Sequence, residues 1–335
     1  MKPQIKVSDV VVKKIAVCLL ALAVLFAGRR LSYAQGGTAG AFLRVGIGAR
    51  AKAMGDAYTA LAKGIEASYY NPAGLPFLQH KELMTSLRVL SLDRQFTFVG
   101  LAVPIRPKSK NKKSVMDGGF SLSWIHAGVG DIDGRDSNGQ PLGDFSNSEN
   151  AFVFSFALSP AKVLSFGLSV KYLLNRFPDV GTDGKTISAT GVGLDFGGLL
   201  SPFDWLTLGI SVKDINSKYT WNTKDLFGDR GSQVINEFPT RVRSALAVRV
   251  PHVQGLTVAL DYEDSKELDS KVHFGAEKVL QQDFVVRAGI DDGALTAGGA
   301  YLFELFGKMS QLNYAFASSG NRPESEHVFS WVFQF

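Results

Sequence analysis

From residue 81 to the C-terminus, apolar side chains alternate with small or polar ones in segments of about ten residues. In 152–159 (FVFSFALS) and 164–172 (LSFGLSVKY), for example, large apolar residues occupy every second position. This period of two predicts β-strands with one apolar face. Strands of this length can cross a bilayer. A soluble β-sandwich would show the same alternation, usually in shorter strands, and is kept as an alternative.

Fourteen segments have this character, an even number, as in single-chain bacterial barrels. The predicted strands are 81–91, 94–105, 117–127, 149–159, 162–175, 186–200, 204–213, 239–250, 254–263, 270–280, 282–291, 293–303, 308–317 and 325–335. The sequence therefore predicts an all-β fold, a transmembrane antiparallel β-barrel of about 14 strands over residues 81–335.

The lengths of the connections predict an orientation. Barrels of this type have short periplasmic turns and longer outer loops. With both termini in the periplasm, the short connections fall on the periplasmic side, and the longer ones are 128–148, 176–185, 214–238 and 318–324. The basic connection 106–116 is long but falls on the periplasmic side. Either the strand count is wrong there or this loop has a role of its own.

The first 34 residues have the character of a secretory signal peptide. Lys13 and Lys14 precede the apolar run 15–27, which is shorter than the roughly 20 residues of a spanning helix. Ser32 and Ala34 then supply the small residues of a cleavage site. We expect the mature chain to begin at Gln35, with an uncleaved N-terminal anchor as the alternative.

Removal of this segment changes the charge and the available chemistry. The net charge is +5, but residues 1–34 contain six Lys or Arg and one acidic residue, so 30 charges of each sign remain. Because the charges of the mature chain are balanced, the basic excess belongs to the signal segment, and we predict no nucleic-acid partner. Cys18 is the only cysteine and leaves with the signal, which excludes disulfides, zinc thiolates and a cysteine nucleophile.

Other motifs of the barrel region predict no enzyme and no cofactor. The glycines of 191–198 lie within a strand and are not followed by a helix, unlike a nucleotide-binding loop. Asp131, Asp133 and Asp136 resemble a calcium loop that lacks the glutamate at its twelfth position, so calcium stays a minor alternative. The five histidines show no metal-ligand spacing. We predict no catalytic, cofactor-binding or metal site.

Residues 35–80 differ from the strands that follow. The Ala-rich stretch 49–62 predicts a helix, and Asn71-Pro72 with Gly74 predicts a turn before the first strand. The stretches AFLRVGIGARAKAMGDAYTALA (41–62) and YYNPAGL (69–75) resemble the PorV/PorQ family of outer-membrane proteins, itself similar to FadL-type fatty acid transporters. The resemblance implies a 14-strand barrel whose N-terminal segment forms a short helical plug in the lumen.

Three sets of residues follow as candidates. The plug motif implied by the resemblance comprises Arg50, Met54, Gly55, Asp56, Ala57, Tyr58, Asn71, Pro72, Gly74 and Leu75. Charges expected to face the lumen and anchor the plug, or merely to face trapped water, are Lys171, Asp195, Arg241, Arg243, Arg249, Asp261, Glu277 and Arg287. Asp56 is expected to cap a turn or to pair with Arg50. A C-terminal signal for the barrel assembly machinery is predicted at Phe329, Trp331, Phe333 and Phe335.

The resemblance implies a location in the outer membrane of a Gram-negative-type bacterium and leaves three functions open. The first is a component of type IX secretion that binds secretion subunits or exported cargo through the outer loops 128–148 and 214–238, the latter containing Tyr219, Trp221 and Phe227. The second is a FadL-like passive channel for fatty acids or other hydrophobic small molecules. The third is a structural barrel of unknown partner. Outer-membrane lipid and the assembly machinery are expected partners in each case.

Overall fold

The computed structural model describes residues 38–90, 93–107, 116–178, 184–224, 228–281, 283–320 and 324–335. The predicted signal peptide with Cys18, most of the basic loop 106–116, and Phe227 lie outside the described residues. Within them the chain forms one closed antiparallel barrel of 14 strands, as predicted. The first strand pairs with the last, Glu82 opposite Gln334, so the wall has no open edge.

The strands, in chain order, are β1 (Glu82–Val89), β2 (Arg94–Ile105), β3 (Asp117–Arg135), β4 (Pro141–Ala161), β5 (Leu164–Phe177), β6 (Ile187–Phe203), β7 (Leu206–Ile215), β8 (Lys218–Asn222), β9 (Gln233–Glu237), β10 (Arg241–Arg249), β11 (Leu256–Ser265), β12 (Lys271–Gln281), β13 (Phe284–Asp291), β14 (Ala294–Leu305), β15 (Lys308–Ala317) and β16 (Glu326–Gln334). Strands β8 and β9 form a hairpin that pairs with β6. The other 14 strands form the wall.

The predicted strand positions are confirmed, but two predicted loops contain strand structure. β3 and β4 continue through most of 128–148 as a two-stranded ribbon, with pairing that reaches Arg135 opposite Pro141. The prediction of a loop was wrong there because this stretch is rich in Gly, Asp, Asn and Ser, which favour turns. Pairing of two exposed strands requires no apolar face, so the period-2 signal is absent. The stretch 214–238 likewise contains the β8–β9 hairpin.

The wall is apolar outside and polar or small inside. Phe152 and Phe154 on β4 are 48% and 47% exposed, whereas Val153 between them and Ser155 and Ala157 after them are buried. Exposed large apolar side chains continue around the barrel on every wall strand except β11, whose outward apolar residues are half-buried, and this is the arrangement of a transmembrane barrel. The soluble sandwich is excluded by the single closed sheet.

Short helical turns precede the barrel. They are 3₁₀ helices at Ala41–Arg44, Gly64–Glu66 and Pro72–Phe77 and single α-turns at Ala49–Ala53 and Ala67–Tyr70, with one more 3₁₀ turn at Gly228–Arg230. The helix predicted over 49–62 ends at Ala53, because Gly55 and Asp56 both adopt positive φ, 65° and 59°. In the part of the chain that the structure describes, no helix has the length and apolarity needed to span a membrane.

Residues 38–80 lie inside the barrel. Gly40 lies beside Phe238 at the rim that carries the β8–β9 hairpin, here called the loop rim. The chain then descends to Lys81, whose backbone bonds to Phe335 at the opposite rim, here called the terminal rim. Most side chains from Ile47 to Ala60 are fully buried. The cavity beside Tyr69 and Lys213 has a volume of about 10 Å³, room for about one water molecule.

Candidate functional site

The contact between the plug (38–80) and the lumen wall is the candidate functional site. Arg50, which follows the first residue of the α-turn, donates two hydrogen bonds of 3.0 Å to Glu277 of β12. Arg287 of β13 donates to the same carboxylate at 2.6 Å. The predicted pairing of Arg50 with Asp56 is wrong, because Arg50 points to the wall while Asp56 turns away after Gly55.

Lys52 forms the most enclosed ion pairs of the plug. Its ammonium lies 2.7 Å from Asp56 and 2.8 Å from Asp291 at the end of β13, and all three side chains are buried. His273 Nδ1 lies 2.9 Å from Asp291 and 3.1 Å from the carbonyl oxygen of Gly55. Lys52 therefore joins Asp56 within the plug motif and also links the plug to Asp291 of the wall.

The backbone after Gly55 is held by a wall carboxylate. Asp261 of β11 accepts hydrogen bonds from the amides of Tyr58, at 3.2 Å, and Thr59, at 2.9 Å. Met54 and Ala57 pack against small wall residues, namely Ala245, Ala247 and Ala259. Small side chains on the wall let the plug backbone approach closely enough for these bonds.

A second cluster of charges joins β5, β6, β7, β10 and β11. Lys171 bonds to both Asp195 and Asp214, Arg241 lies 2.8 Å from Asp214, and Arg243 bonds to Glu263. Arg241 also donates to the carbonyl of Leu43, at 3.0 Å, and Arg243 to that of Asp56, at 3.2 Å. These two arginines therefore hold plug carbonyls as well as wall carboxylates. We call the charged wall the ionic sector: Lys171, Asp195, Asp214, Arg241, Arg243, Asp261, Glu263, Glu277, Arg287 and Asp291.

Gly55 is required where the plug touches the wall backbone. A Cβ at this position would lie 2.5 Å from the carbonyl oxygens of Ile290 and Phe274, and its φ of 65° disfavours other residues. Gly275 and Gly289 on the wall face the same point. Glycines therefore meet from both sides at this contact.

The turn motif seals the plug toward the terminal rim. Asn71 accepts a hydrogen bond from the amide of Ala73 and donates to the carbonyls of Thr59, at 3.1 Å, and Gly198, at 3.2 Å. Pro72 lies against Gly167 and Gly197 of the wall. Gly74 has no room for a side chain beside the carbonyl of Ala62, and Leu75 is fully buried.

Three tyrosines order the interior of the plug. Tyr69 donates to the carbonyl of Leu43 at 2.7 Å, and Tyr70 donates to Asp56 at 2.8 Å. Tyr58 donates to Glu66 at 2.7 Å, and both groups are buried. Burial raises the pKa of the Glu66 carboxyl above its ordinary value and raises the pKa of the Tyr58 hydroxyl well above its own.

This burial predicts a pH effect on plug stability. A carboxyl whose pKa is raised on folding contributes stability that is present below its unfolded pKa and is lost as pH rises through the folded pKa. As the pH rises above about 4, the pKa of a glutamate in the unfolded chain, we therefore expect wild type to lose unfolding free energy relative to Glu66→Gln. Urea unfolding of the barrel in vesicles, followed by tryptophan fluorescence, measures the difference. The exposed Glu237→Gln is the control, and parallel curves for wild type and Glu66→Gln would contradict the prediction.

The other side of the lumen carries a cluster of large apolar side chains. Met84, Phe98, Ile125 and Val153, from β1 to β4, point inward and belong to one buried cluster with Phe42, Leu43 and Ile65 of the plug. We call these four wall residues the apolar sector. The plug thus faces charged wall on one side and mainly apolar and serine side chains on the other, where Arg88 of β1 is a further inward charge.

The remaining predicted residues lie outside the plug contact. Arg249 is exposed at the end of β10 and donates to the carbonyl of Asp204 at 3.4 Å, so it is not enclosed in the lumen. Phe329, Trp331 and Phe333 lie on the outer face of β16, and Phe335 ends the chain. Asp133 pairs with Arg135 at 2.7 Å in the β3–β4 ribbon. Among the described residues no group of three His, Cys, Asp or Glu side chains is placed to hold a metal.

The contact residues absent from the predicted set include Lys52, Asp214, Glu263, His273 and Asp291. Glu263 and Asp291 share the strand alternation of the predicted inward charges Asp261 and Arg287, so extending that alternation to the strand ends would have found both. Lys52 looks like an ordinary solvent-facing lysine of a helix.

The barrel has the fold of the FadL-like channels. Over 82% of this chain and 95% of the other, it superposes on a Pseudomonas aeruginosa FadL homologue with a TM-score of 0.56 and 11% identity. The Pseudomonas putida toluene transporter TodX gives a TM-score of 0.56 at 15% identity, covering 87% of this chain and 98% of that one. The monoaromatic hydrocarbon channel CymD gives 0.58 at 13%, with the same two coverages. No protein-family model matches the chain, and no curated protein matches it.

Proposed function

We propose that this chain is an outer-membrane channel for hydrophobic compounds, with residues 38–80 as its gate. The observation that carries the proposal is the division of the lumen into an ionic and an apolar sector. A plug held by the ionic sector can shift while the apolar sector offers hydrocarbon to a passing molecule. Two structural neighbours bear the names of a toluene transporter and a monoaromatic hydrocarbon channel, which supports this substrate class.

An aromatic cluster at the loop rim fits the mouth of such a path. Trp221 lies 5.8 Å from Phe177 between ring centroids, and Tyr219 lies 4.9 Å from Phe238. Phe238 covers Gly40 at the start of the plug. Hydrophobic molecules that collect on the half-buried rings of Phe177 and Trp221 would meet the plug next to the apolar sector. The proposal includes no catalytic step, and it places the terminal rim in the periplasm.

Fixing the plug to the wall tests the gate. The hydroxyls of Ser68 on the plug and Ser123 on β3 lie 3.4 Å apart, so the pair Ser68→Cys and Ser123→Cys places two thiols across the contact between plug and wall. We expect oxidation of this variant to reduce uptake of radiolabelled oleate and toluene to that of cells lacking the barrel, and reduction to restore it. The cells should lack another hydrophobic channel.

A crosslink within the wall is the matched control. The hydroxyls of Ser155 and Ser169 lie 2.7 Å apart on the neighbouring wall strands β4 and β5, so a disulfide there joins wall to wall and does not link the plug. The oxidised pair Ser155→Cys and Ser169→Cys should transport as wild type does. Equal uptake by both oxidised variants would overturn the role of the plug as a gate.

The closed lumen favours a second candidate, a component of type IX secretion. The plug contact leaves a cavity of about 10 Å³ beside Tyr69, too small for any hydrophobic substrate in this state. A barrel that stays plugged would act by binding secretion subunits or cargo at the loop rim. Purification in mild detergent distinguishes the two: secretion subunits or cargo that co-purify favour this candidate, and a bound hydrocarbon without protein favours the channel.

A further inference from the structure

The lipid-facing wall contains a deep groove that neither candidate function uses. It has a volume of about 690 Å³ and lies across β13, β14, β15, β16 and β1. Thr85 and Gly299 form its floor, since both are smaller than their outward neighbours. Its sides are apolar and largely aromatic: Leu87, Phe284, Tyr301, Leu312, Phe329 and Trp331. The volume lies within the range of ordinary ligand sites.

A cation lies beyond one end of the groove, four positions before the first lining residue of β15, Leu312. Leu312 and Tyr314 of β15 are 50% and 40% exposed on the outer face, and by alternation Lys308 at the start of the strand lies on the same face. Lys308 is exposed, and no ion pair to it is found among the described residues. Phe306, in the turn just before it, is 90% exposed. The pairing of Ser310 with Phe333 places this turn at the terminal rim.

The distance from Lys308 to the far lining residue of the groove on β15, Tyr314, matches one leaflet. Tyr314 lies six positions after Lys308, about 20 Å along a strand. With a strand tilt of about 40°, this is roughly 15 Å along the membrane normal, half of a hydrocarbon core of about 30 Å. An acyl chain that starts at the level of Lys308 and follows the groove to Tyr314 would therefore end near the bilayer midplane.

We propose that this groove is a binding site for one glycerophospholipid of the leaflet at the terminal rim. An acyl chain lies over Thr85 and Gly299 between the aromatic sides, and the phosphate pairs with Lys308. The chemistry requires both parts, because the groove alone would accept any hydrocarbon, and the cation selects a molecule with an anionic group at the rim. The inference does not depend on what passes through the lumen.

Lipid retention tests the proposal. The barrel is reconstituted in vesicles of phosphatidylethanolamine and phosphatidylglycerol, with spin-labelled phosphatidylglycerol as the probe. We expect wild type to immobilise about one labelled lipid more tightly than the surrounding shell. Thr85→Trp fills the groove and should abolish this component, while Lys308→Ser should weaken binding by about fivefold, the contribution of one lysine near a membrane surface.

The matched control is Val242→Trp. Val242 is 38% exposed on the outer face of β10, away from the groove, so its replacement adds the same bulk to the wall without filling the site. Loss of the tight component in this variant as well, or its persistence in Thr85→Trp, would overturn the proposal. Tighter binding of spin-labelled stearate than of the phospholipid would also overturn it, since it would assign the groove to free fatty acid. Far-UV circular dichroism confirms that each variant keeps its strands.

Discussion

Replacing Lys52 with methionine is expected to loosen the plug and to lower the free energy of unfolding by about 3–5 kcal/mol. The ammonium of Lys52 bridges the carboxylates of Asp56 and Asp291, and the three residues are between 1% and 5% exposed. Methionine has a similar length and fills the space. It leaves two carboxylates close together in a site with little solvent. The closed plug then carries an uncompensated charge that water would relieve if the plug moved.

Current across planar bilayers and urea unfolding measure the two effects. Lys52→Met should show frequent openings where wild type is closed, and adding Asp291→Asn should restore part of the lost stability. The control is Lys271→Met, whose partner Asp292 lies 3.5 Å away with both side chains 42% exposed. An exposed pair contributes at most about 1 kcal/mol, so this variant should stay closed. If Lys52→Met shows the same currents and stability as wild type, the ion pairs of Lys52 do not hold the plug closed.

The second large effect is expected for Gly55→Ala. The added Cβ combines two costs: a positive φ, about 1–2 kcal/mol for an L-residue, and a steric clash with the wall carbonyls of Ile290 and Phe274. Overpacking of this kind costs a further 1–3 kcal/mol or so. Backbone atoms on both sides of the contact cannot rotate away, so the plug must shift as a unit.

Gly139→Ala separates the two costs. Gly139 also has a positive φ, 78°, but a Cβ there has no heavy atom within 4 Å. It should lose only the conformational part of the free energy of unfolding. We expect Gly55→Ala to exceed it by more than 1 kcal/mol or so in urea unfolding and to gain sensitivity to trypsin at Lys63. Equal losses in the two variants would show that close packing at Gly55 contributes nothing.

The strand positions were predictable from the sequence because side chains that face lipid must be apolar, which gives each strand a period of two. Phe152 and Phe154 show this pattern on the outer face, and the closed sheet confirms the strands. The apolar sector was not predicted. Met84, Phe98 and Ile125 point inward, although alternation elsewhere places small or polar residues on that face. Apolar side chains are stable on the inner face there because the plug packs against them in place of water.

The charged contacts were predictable in kind but not in pairing. Alternation placed Arg241, Arg243 and Glu277 inside, since a charge on the lipid face is costly. Which wall carboxylate meets which plug cation depends on the path of the plug, and that path turns at Gly55 and Asp56. Two consecutive residues of positive φ cannot be read from an Ala-rich stretch whose composition predicts a longer helix.

The position of the plug before β1 has a consequence for assembly. The amide of Ala49 donates to Ser330 on the last strand, and Arg88 of the first strand joins the carbonyl of Gly46 to Glu326. These bonds span the seam where β16 meets β1, so they form only when the cylinder closes. We therefore expect the N-terminal segment to act as a folding template as well as a plug, with β16 closing against residues that already lie in the lumen. Variants that weaken the contact between plug and wall should therefore accumulate as sheets in which β1 and β16 are not yet paired. This assembly defect should be detectable before any increase in the conductance of closed barrels.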